Sequence, residues 1–142
     1  MNILLVEDNE GDILLTQEAL LESNPETEIK VMRDGESAVD YIFKRGRFSG
    51  VETPDLILLD INLPKKNGHD VLKEIKASDR YGIIPIVLLT TSSADQDIQQ
   101  GYRNGANAYV VKDFVYEDLT YMVTEIEKFW RQVAMLPKSD YA

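Results

Sequence analysis

The sequence predicts an α/β domain in which a parallel sheet of five strands carries helices on both faces. Three observations point there. Short apolar runs, each of strand length, alternate with longer segments of helical composition. Most of those runs lack polar alternation, which suits strands buried on both sides rather than a sheet with one wet face. The length, 142 residues, suffices for one ordinary domain and not comfortably for two, so no attached output module is expected.

Asn2–Val6 is the first apolar run, stopped by Glu7-Asp8-Asn9. Residues 13–23 are rich in Leu, Ala, Gln and Glu, good helix formers, and Asn24-Pro25 ends that helix. Glu28–Met32 alternates polar with apolar side chains, as a strand nearer an edge does. Asp34 or Gly35 starts a second helix, with Ala38, Val39, Ile42 and Phe43 on its apolar side, and residues 46–53 form a loop. The third strand, Leu56 to Leu59, ends at Asp60, and Pro64 prevents the ladder from continuing. After a turn at residues 64–68, Val71, Leu72 and Ile75 mark a third helix ending near Ser78. A fourth apolar run follows Pro85 and leads directly into Thr90-Thr91-Ser92-Ser93. Residues 94–103 form a polar helix closed by Asn104-Gly105, and residues 107–111 are the fifth strand, ending at Lys112.

The last helix is the most strongly patterned. Leu119, Val123, Ile126, Trp130 and Val133 make a stripe for packing on the sheet, and Val115, Met122, Phe129 and Leu136 widen it. That breadth fits either a helix buried in its own domain or one that also meets a partner chain's helix. The domain is expected to run over residues 1–134, with a tail over 135–142 that frays past Pro137.

Composition narrows function. A formal charge of −10 and a pI near 4.5 argue against a nucleic-acid surface, which needs clustered Lys and Arg. The absence of cysteine removes disulfides, thiolate nucleophiles and Cys-ligated metals, and fits a reducing compartment. With one histidine there is no His cluster, and His69, early in a helix beside Asn67-Gly68, reads as a solvated surface residue. No signal-peptide layout and no bilayer-length apolar run occur, so a soluble cytoplasmic protein without membrane contact is expected.

Ligand sites of doubly wound sheets lie outside the carboxyl ends of the strands, where the winding reverses. Strand one ends in Glu7-Asp8, strand three in Asp60, strand four in Thr90 and strand five in Lys112. Asp60 alone could be a simple cap, but three carboxylates, a hydroxyl and an ammonium in one crevice are a constellation. Two unit charges about 4 Å apart repel by roughly 4 kcal/mol at an effective dielectric of about 20, so the site must take up a proton or a cation. An all-oxygen site with room for water suits Mg²⁺, or Mn²⁺ in its place. Such equipment serves phosphoryl transfer. Asp60 would attack phosphorus, Lys112 and the ion would neutralise the phosphoryl oxygens, and Thr90 would hydrogen-bond one of them.

The segments Leu4-Leu5-Val6-Glu7-Asp8-Asn9, Leu58-Leu59-Asp60-Ile61-Asn62-Leu63-Pro64, Leu88-Leu89-Thr90-Thr91 and Gly105-Ala106-Asn107-Ala108-Tyr109-Val110-Val111-Lys112 resemble the four signatures of the receiver domain of two-component response regulators. The resemblance implies a flavodoxin-like three-layer (βα)5 sandwich with strand order 2-1-3-4-5, a family property. It implies that Asp60 accepts a phosphoryl group from a sensor histidine kinase, and that Mg²⁺ sits on Glu7, Asp8, Asp60 and the backbone carbonyl of Asn62. Thr90 and Lys112 would read the phosphoryl group, and Tyr109 would be the aromatic switch that turns inward. Asn62 and Ser92 would set its lifetime. Such a protein catalyses its own phosphorylation and slow dephosphorylation and is mainly a switch.

Two features depart from the family pattern. Asp113 follows Lys112 where many members have Pro, which argues against a cis bond there, since without Pro it costs about 2.5–4 kcal/mol. The stretch from Phe129-Trp130 to Pro137 extends past the usual boundary and resembles the stand-alone regulators of bacterial phytochromes, red-light sensing histidine kinases. The widened apolar arc of the last helix separately suggests a homodimer through that helix and its neighbours. The rival with the same chemistry, a phosphohydrolase of the haloacid dehalogenase type, would normally need a second acid where this chain has Asn62.

Overall fold

Apolar runs as continuous as these can be buried only where both sheet faces are covered, and the central strands show it. In β1 (Asn2–Val6), β3 (Leu56–Leu59) and β4 (Ile86–Thr90), only Asn2 is not fully buried. The computed structural model describes residues 1–112 and 116–137. The edge strands, β2 (Glu28–Met32) and β5 (Ala108–Val111), are half-exposed. All pairings are parallel and the order is β2-β1-β3-β4-β5, so the three-layer flavodoxin-like expectation holds.

Side chains alternate between two cores. Leu4, Val6, Ile57, Leu59, Ile86 and Leu88 meet α2 (Gly35–Ile42) and α3 (Gly68–Lys76) through Ala38, Ile42, Leu72 and Ile75. Ile3, Leu5, Leu56, Leu58, Val87 and Leu89 meet α1 (Glu10–Ser23) and α5 (Tyr116–Lys128) through Ile13, Leu20, Leu119 and Val123. α4 (Asp95–Arg103) joins the first face at Gly101, where a Cβ would stand 2.7 Å from Leu88 and 3.1 Å from Tyr109. The chain passes from β1 out to β2 and returns across β1 to β3. The winding therefore reverses between β1 and β3, beside Glu7 and Asp60.

Helix ends follow local chemistry. α1 begins three residues before the expected position because the Asn9 side chain caps it, accepting from the Asp12 amide at 2.9 Å. Asp34 caps α2 and Asn67 caps α3 in the same way, while α3 ends at Lys76, short of Ser78. Gly105, at φ +100°, takes the left-handed position past α4 that Asn104-Gly105 foretold. The expected loop over 46–53 contains a 3₁₀ turn, Gly46–Phe48. The Lys76 ammonium donates to the carbonyls of Gly82 and Ile84 and to Asn107 Oδ1, a clip between α3 and the starts of β4 and β5.

One expectation fails at the last helix. Leu119, Val123, Ile126 and Trp130 face the sheet, but Val133 is 71% exposed. The helix widens after Lys128 into a π turn, Phe129–Val133, closed by the Ala134 amide donating to the Phe129 carbonyl at 2.9 Å. The extra residue in that turn rotates the end of the helix off the stripe. Val115 and the tail past Pro137 lie outside the described residues. Among the described residues no helix is long and apolar enough to cross a membrane.

Candidate functional site

Register brings the acids together. Val6 pairs with Leu59, so Glu7 and Asp60 leave adjacent strands side by side, and the Asp60 amide donates to the Val6 carbonyl at 3.0 Å. Thr90 pairs with Val111, and the next amide, that of Lys112, donates to the Thr90 carbonyl at 2.6 Å. Glu7, Asp60, Thr90 and Lys112 are all buried, with Asp8 exposed at the rim. Glu7, Asp8 and Asp60 each offer a carboxylate oxygen within 4.8 Å of the others. The Lys112 ammonium lies 2.9 Å from Glu7, 2.9 Å from Asp12 and 3.4 Å from Asp60. The Asn62 amide points at Asp60 Oδ1 from 3.3 Å.

Electrostatics at this crevice arise from crowding. Burial, helped by the hydrogen bond and charge of Asp60, pushes the Glu7 carboxyl up to about 7, against the pull of Lys112. Burial also disfavours the Lys112 ammonium, but its hydrogen bonds to Glu7 and Asp12 and the charges of Asp60 and Glu7 outweigh that and raise its pKa. One ammonium thus leaves excess negative charge among Glu7, Asp8 and Asp60, which is why the Glu7 carboxyl is pushed up rather than down. Three carboxylates offering oxygens within 4.8 Å of one another are an acidic metal site, and this hard, all-oxygen donor set fits a divalent ion of the Mg²⁺ or Mn²⁺ type.

The raised pKa of Glu7 gives the site a pH dependence of definite sign. The folded-state pKa of Glu7 lies above its ordinary value of 4.5. Its stabilising contribution to the metal-free chain is therefore complete below about pH 4.5 and is lost as pH rises through about 7. Metal and proton compete for the same oxygens, so affinity for Mg²⁺ should rise with pH through this range, and binding at pH 6 should release about one proton. Calorimetry in buffers of different ionisation enthalpy measures this. Binding at pH 6 without proton release contradicts it.

Beside the acids stands a second polar group. The Tyr109 hydroxyl donates to the Ser92 carbonyl at 2.9 Å, so the ring is turned inward onto the β4–α4 connection. Burial raises its pKa, with the Ser92 hydrogen bond opposing. The Ser92 hydroxyl donates to Asp97 Oδ2 at 2.5 Å, and Asp97 Oδ1 lies 3.2 Å from His69 Nε2. These bonds from Ser92 and His69 hold the Asp97 carboxyl below its usual range. His69 is therefore not the solvated surface residue its neighbours suggested. It is 7% exposed, with Nδ1 buried and unpaired among the described residues, because Gly68 packs closely on the Asp60 backbone and the Nε2 side of the ring faces Asp97 of α4 instead of water.

The structure brings Glu7, Asp8, Asp60, Asn62 and Lys112 together, sets Thr90 beside Lys112 on the next strand, and places the Tyr109 hydroxyl on the Ser92 carbonyl of the β4–α4 connection. Asp12 and Asp97 were missed. Asp12 was findable, since Asn9 caps a helix whose third residue it is, one turn past Asp8. Asp97 was not, because its role depends on how α4 docks against α3. Asp113 lies outside the described residues.

A doubly wound sheet with an acidic metal site at its reversal point, a buried lysine beside it and a threonine on the next strand defines a receiver-type α/β domain. Residues 3–124 match the family described as response regulator receiver domain, and the chain belongs to that family. It is 42% identical over 135 residues to the response regulator Rcp1 of Synechocystis sp., covering 95% of this chain and 92% of the relative. Its fold superposes on the phosphorylated cyanobacterial phytochrome response regulator RcpA with a TM-score of 0.94 at 44% identity, covering 96% of this chain and 98% of that one. The Mn²⁺-bound form of Rcp1 gives a TM-score of 0.93 at 42% identity, covering 96% and 99%.

Proposed function

We propose that this response regulator takes a phosphoryl group from a phosphohistidine of a sensor histidine kinase onto Asp60, and that the kinase is a phytochrome. The observation that carries the reading is the Asp60 carboxylate, buried at a strand end 3.4 Å from Lys112 and within the acidic triad. An Asp60 oxygen attacks phosphorus, the P–N bond to the donor imidazole breaks with its electron pair returning to the ring nitrogen, and the ring leaves as neutral imidazole, its other nitrogen already carrying a proton. Lys112 meets the added charge, and Thr90 hydrogen-bonds a phosphoryl oxygen. Glu7, Asp8, Asp60 and the Asn62 carbonyl would hold Mg²⁺, with Mn²⁺ able to replace it, and the ion would supply positive charge against the charge of the phosphoryl group. Water later attacks phosphorus and returns the Asp60 carboxylate and inorganic phosphate. Asn62 offers no general acid or base for that step, which favours a switch over a turnover enzyme.

Support for the phytochrome partner is the likeness to RcpA, itself a cyanobacterial phytochrome response regulator. On this reading the protein works in the cytoplasm, as a receiver domain over residues 1–134 with a tail over 135–142. Incubation with acetyl phosphate and Mg²⁺ should add one phosphate to the wild type and none to Asp60→Asn. Labelling of the variant counts against the assignment.

We further propose a homodimer through the last helix and its neighbours. Tyr121, Phe129, Val133 and Met135, on the last helix and just past its end, are 66%, 48%, 71% and 94% exposed, apolar surface that a partner chain could cover. Beside it runs a groove of about 450 Å³ between β5 and α5, lined by Val110, Ile126, Phe129 and Trp130 among others. Sedimentation should show dimers that Phe129→Asp together with Val133→Asp weakens. A monomer at every concentration, with and without phosphate, rules the dimer out.

A further inference from the structure

The β4–α4 connection carries the group that Tyr109 reads, and its own bonds are long: the Ser92 amide donates to Thr90 Oγ1 at 3.5 Å and the Ala94 amide to Ser92 Oγ at 3.4 Å. Ala94 at the start of α4 provides no side-chain cap. What ties the segment down is Asp97 in the first turn, which accepts from the Ser92 hydroxyl with one oxygen and meets His69 Nε2 with the other. His69 belongs to α3 and is one residue past Gly68, whose amide donates to the Ile61 carbonyl at 2.8 Å. A Cβ on Gly68 would stand 2.2 Å from the Asp60 carbonyl oxygen, so the start of α3 is registered directly on the backbone of the acidic site. His69 carries that register across to α4. Its Nε2 stands 3.2 Å from Asp97 Oδ1, and its buried Nδ1 has no hydrogen-bond partner among the described residues.

We infer that His69 is a positioning residue of the switch: through Asp97 it fixes Ser92 so that the Ser92 carbonyl is presented to the inward Tyr109 hydroxyl. Two routes then lead from Asp60 to Tyr109. One runs through Thr90 on β4. The other runs through Gly68 and His69 on α3, then Asp97 and Ser92. The inference rests on the reading of Thr90 and Tyr109 as a phosphoryl-driven switch. A purely structural role for His69, packing α3 on α4, would cost stability and leave the Tyr109 ring where it is.

The test is NMR on the full chain, reading the Ser92 amide and the Tyr109 ring signals, free and with Mg²⁺ and beryllofluoride as the acyl-phosphate mimic. His69→Leu and Asp97→Asn should each lower the inward-to-outward ratio of Tyr109 about fivefold, the worth of roughly one net hydrogen bond. The double variant should do no more than either alone. His69→Gln, which keeps a donor, should recover part of the ratio. Asp97 is partly exposed, so its variant gives a reading even if His69→Leu folds poorly. Unmoved Tyr109 and Ser92 signals in Asp97→Asn and His69→Gln, or additive effects in the double variant, overturn the inference. Acetyl phosphate labelling of the same samples reports separately on Asp60: if the wild type takes no phosphate, the function assigned to Asp60 fails while the free-state ratios still decide the role of His69.

Discussion

Lys112→Met should slow phosphorylation from acetyl phosphate by about a hundredfold, the usual cost of losing one well-placed positive donor at a centre of developing charge. The variant should also be less stable, because Glu7, Asp12 and Asp60 lose the ammonium that all three share. Breaking a buried ion pair from one side costs about 3–5 kcal/mol. That cost should depend on pH. Below about pH 6 Glu7 already carries a proton, so less charge is left uncompensated; above pH 7 it would be ionised in the wild type and the loss is larger. Urea unfolding of the metal-free variant and wild type at pH 5 and pH 8 measures the difference. An equal loss at both pH values contradicts the charge balance derived for the crevice.

Gly68→Ala is the second large effect, and it acts through backbone. The added Cβ would lie 2.2 Å from the Asp60 carbonyl oxygen and 2.6 Å from the Ile61 Cα, main-chain atoms that cannot turn aside as a side-chain tip can. The β3–α3 turn must open, at a cost of about 3 kcal/mol. Asp60 moves with it, and since misplacement of about 1 Å can cost up to a hundredfold in rate, phosphorylation should slow by at least about tenfold. Gly50→Ala is the control, since nothing lies within 4 Å of its added Cβ. Thermal unfolding and acetyl phosphate kinetics on both variants settle it: a Gly68→Ala protein as stable and as quickly labelled as Gly50→Ala would show that the close packing on Asp60 is not needed.

The sheet was legible because its central strands are apolar runs with abrupt polar ends. Leu56-Ile57-Leu58-Leu59 stopped by Asp60 admits little other than a buried strand delivering an acid to its tip. Once the strands were placed, their C-terminal residues had to share one end of a parallel sheet, so Glu7, Asp60, Thr90 and Lys112 could be brought together without coordinates. Packing between distant elements was beyond the reach of local pattern. Asp12 reaches Lys112 from α1 across about a hundred residues of chain, and His69 meets Asp97 only because α3 and α4 dock side by side. Polar neighbours in sequence made His69 look solvated, whereas tertiary contact buried it. The π turn at Phe129 was likewise invisible, since one extra residue in a turn leaves no mark on apolar spacing before it and only displaces Val133 after it.

The most direct test of the central claim is to locate the phosphoryl group chemically. An acyl phosphate is cleaved by borohydride to the corresponding alcohol, so an aspartyl phosphate becomes homoserine. After incubation with acetyl phosphate and Mg²⁺, borohydride treatment and peptide sequencing by mass spectrometry should find homoserine at position 60 and nowhere else. Homoserine at Asp8 or Asp12 with Asp60 intact, or none at all in a chain that has gained phosphate, contradicts the account.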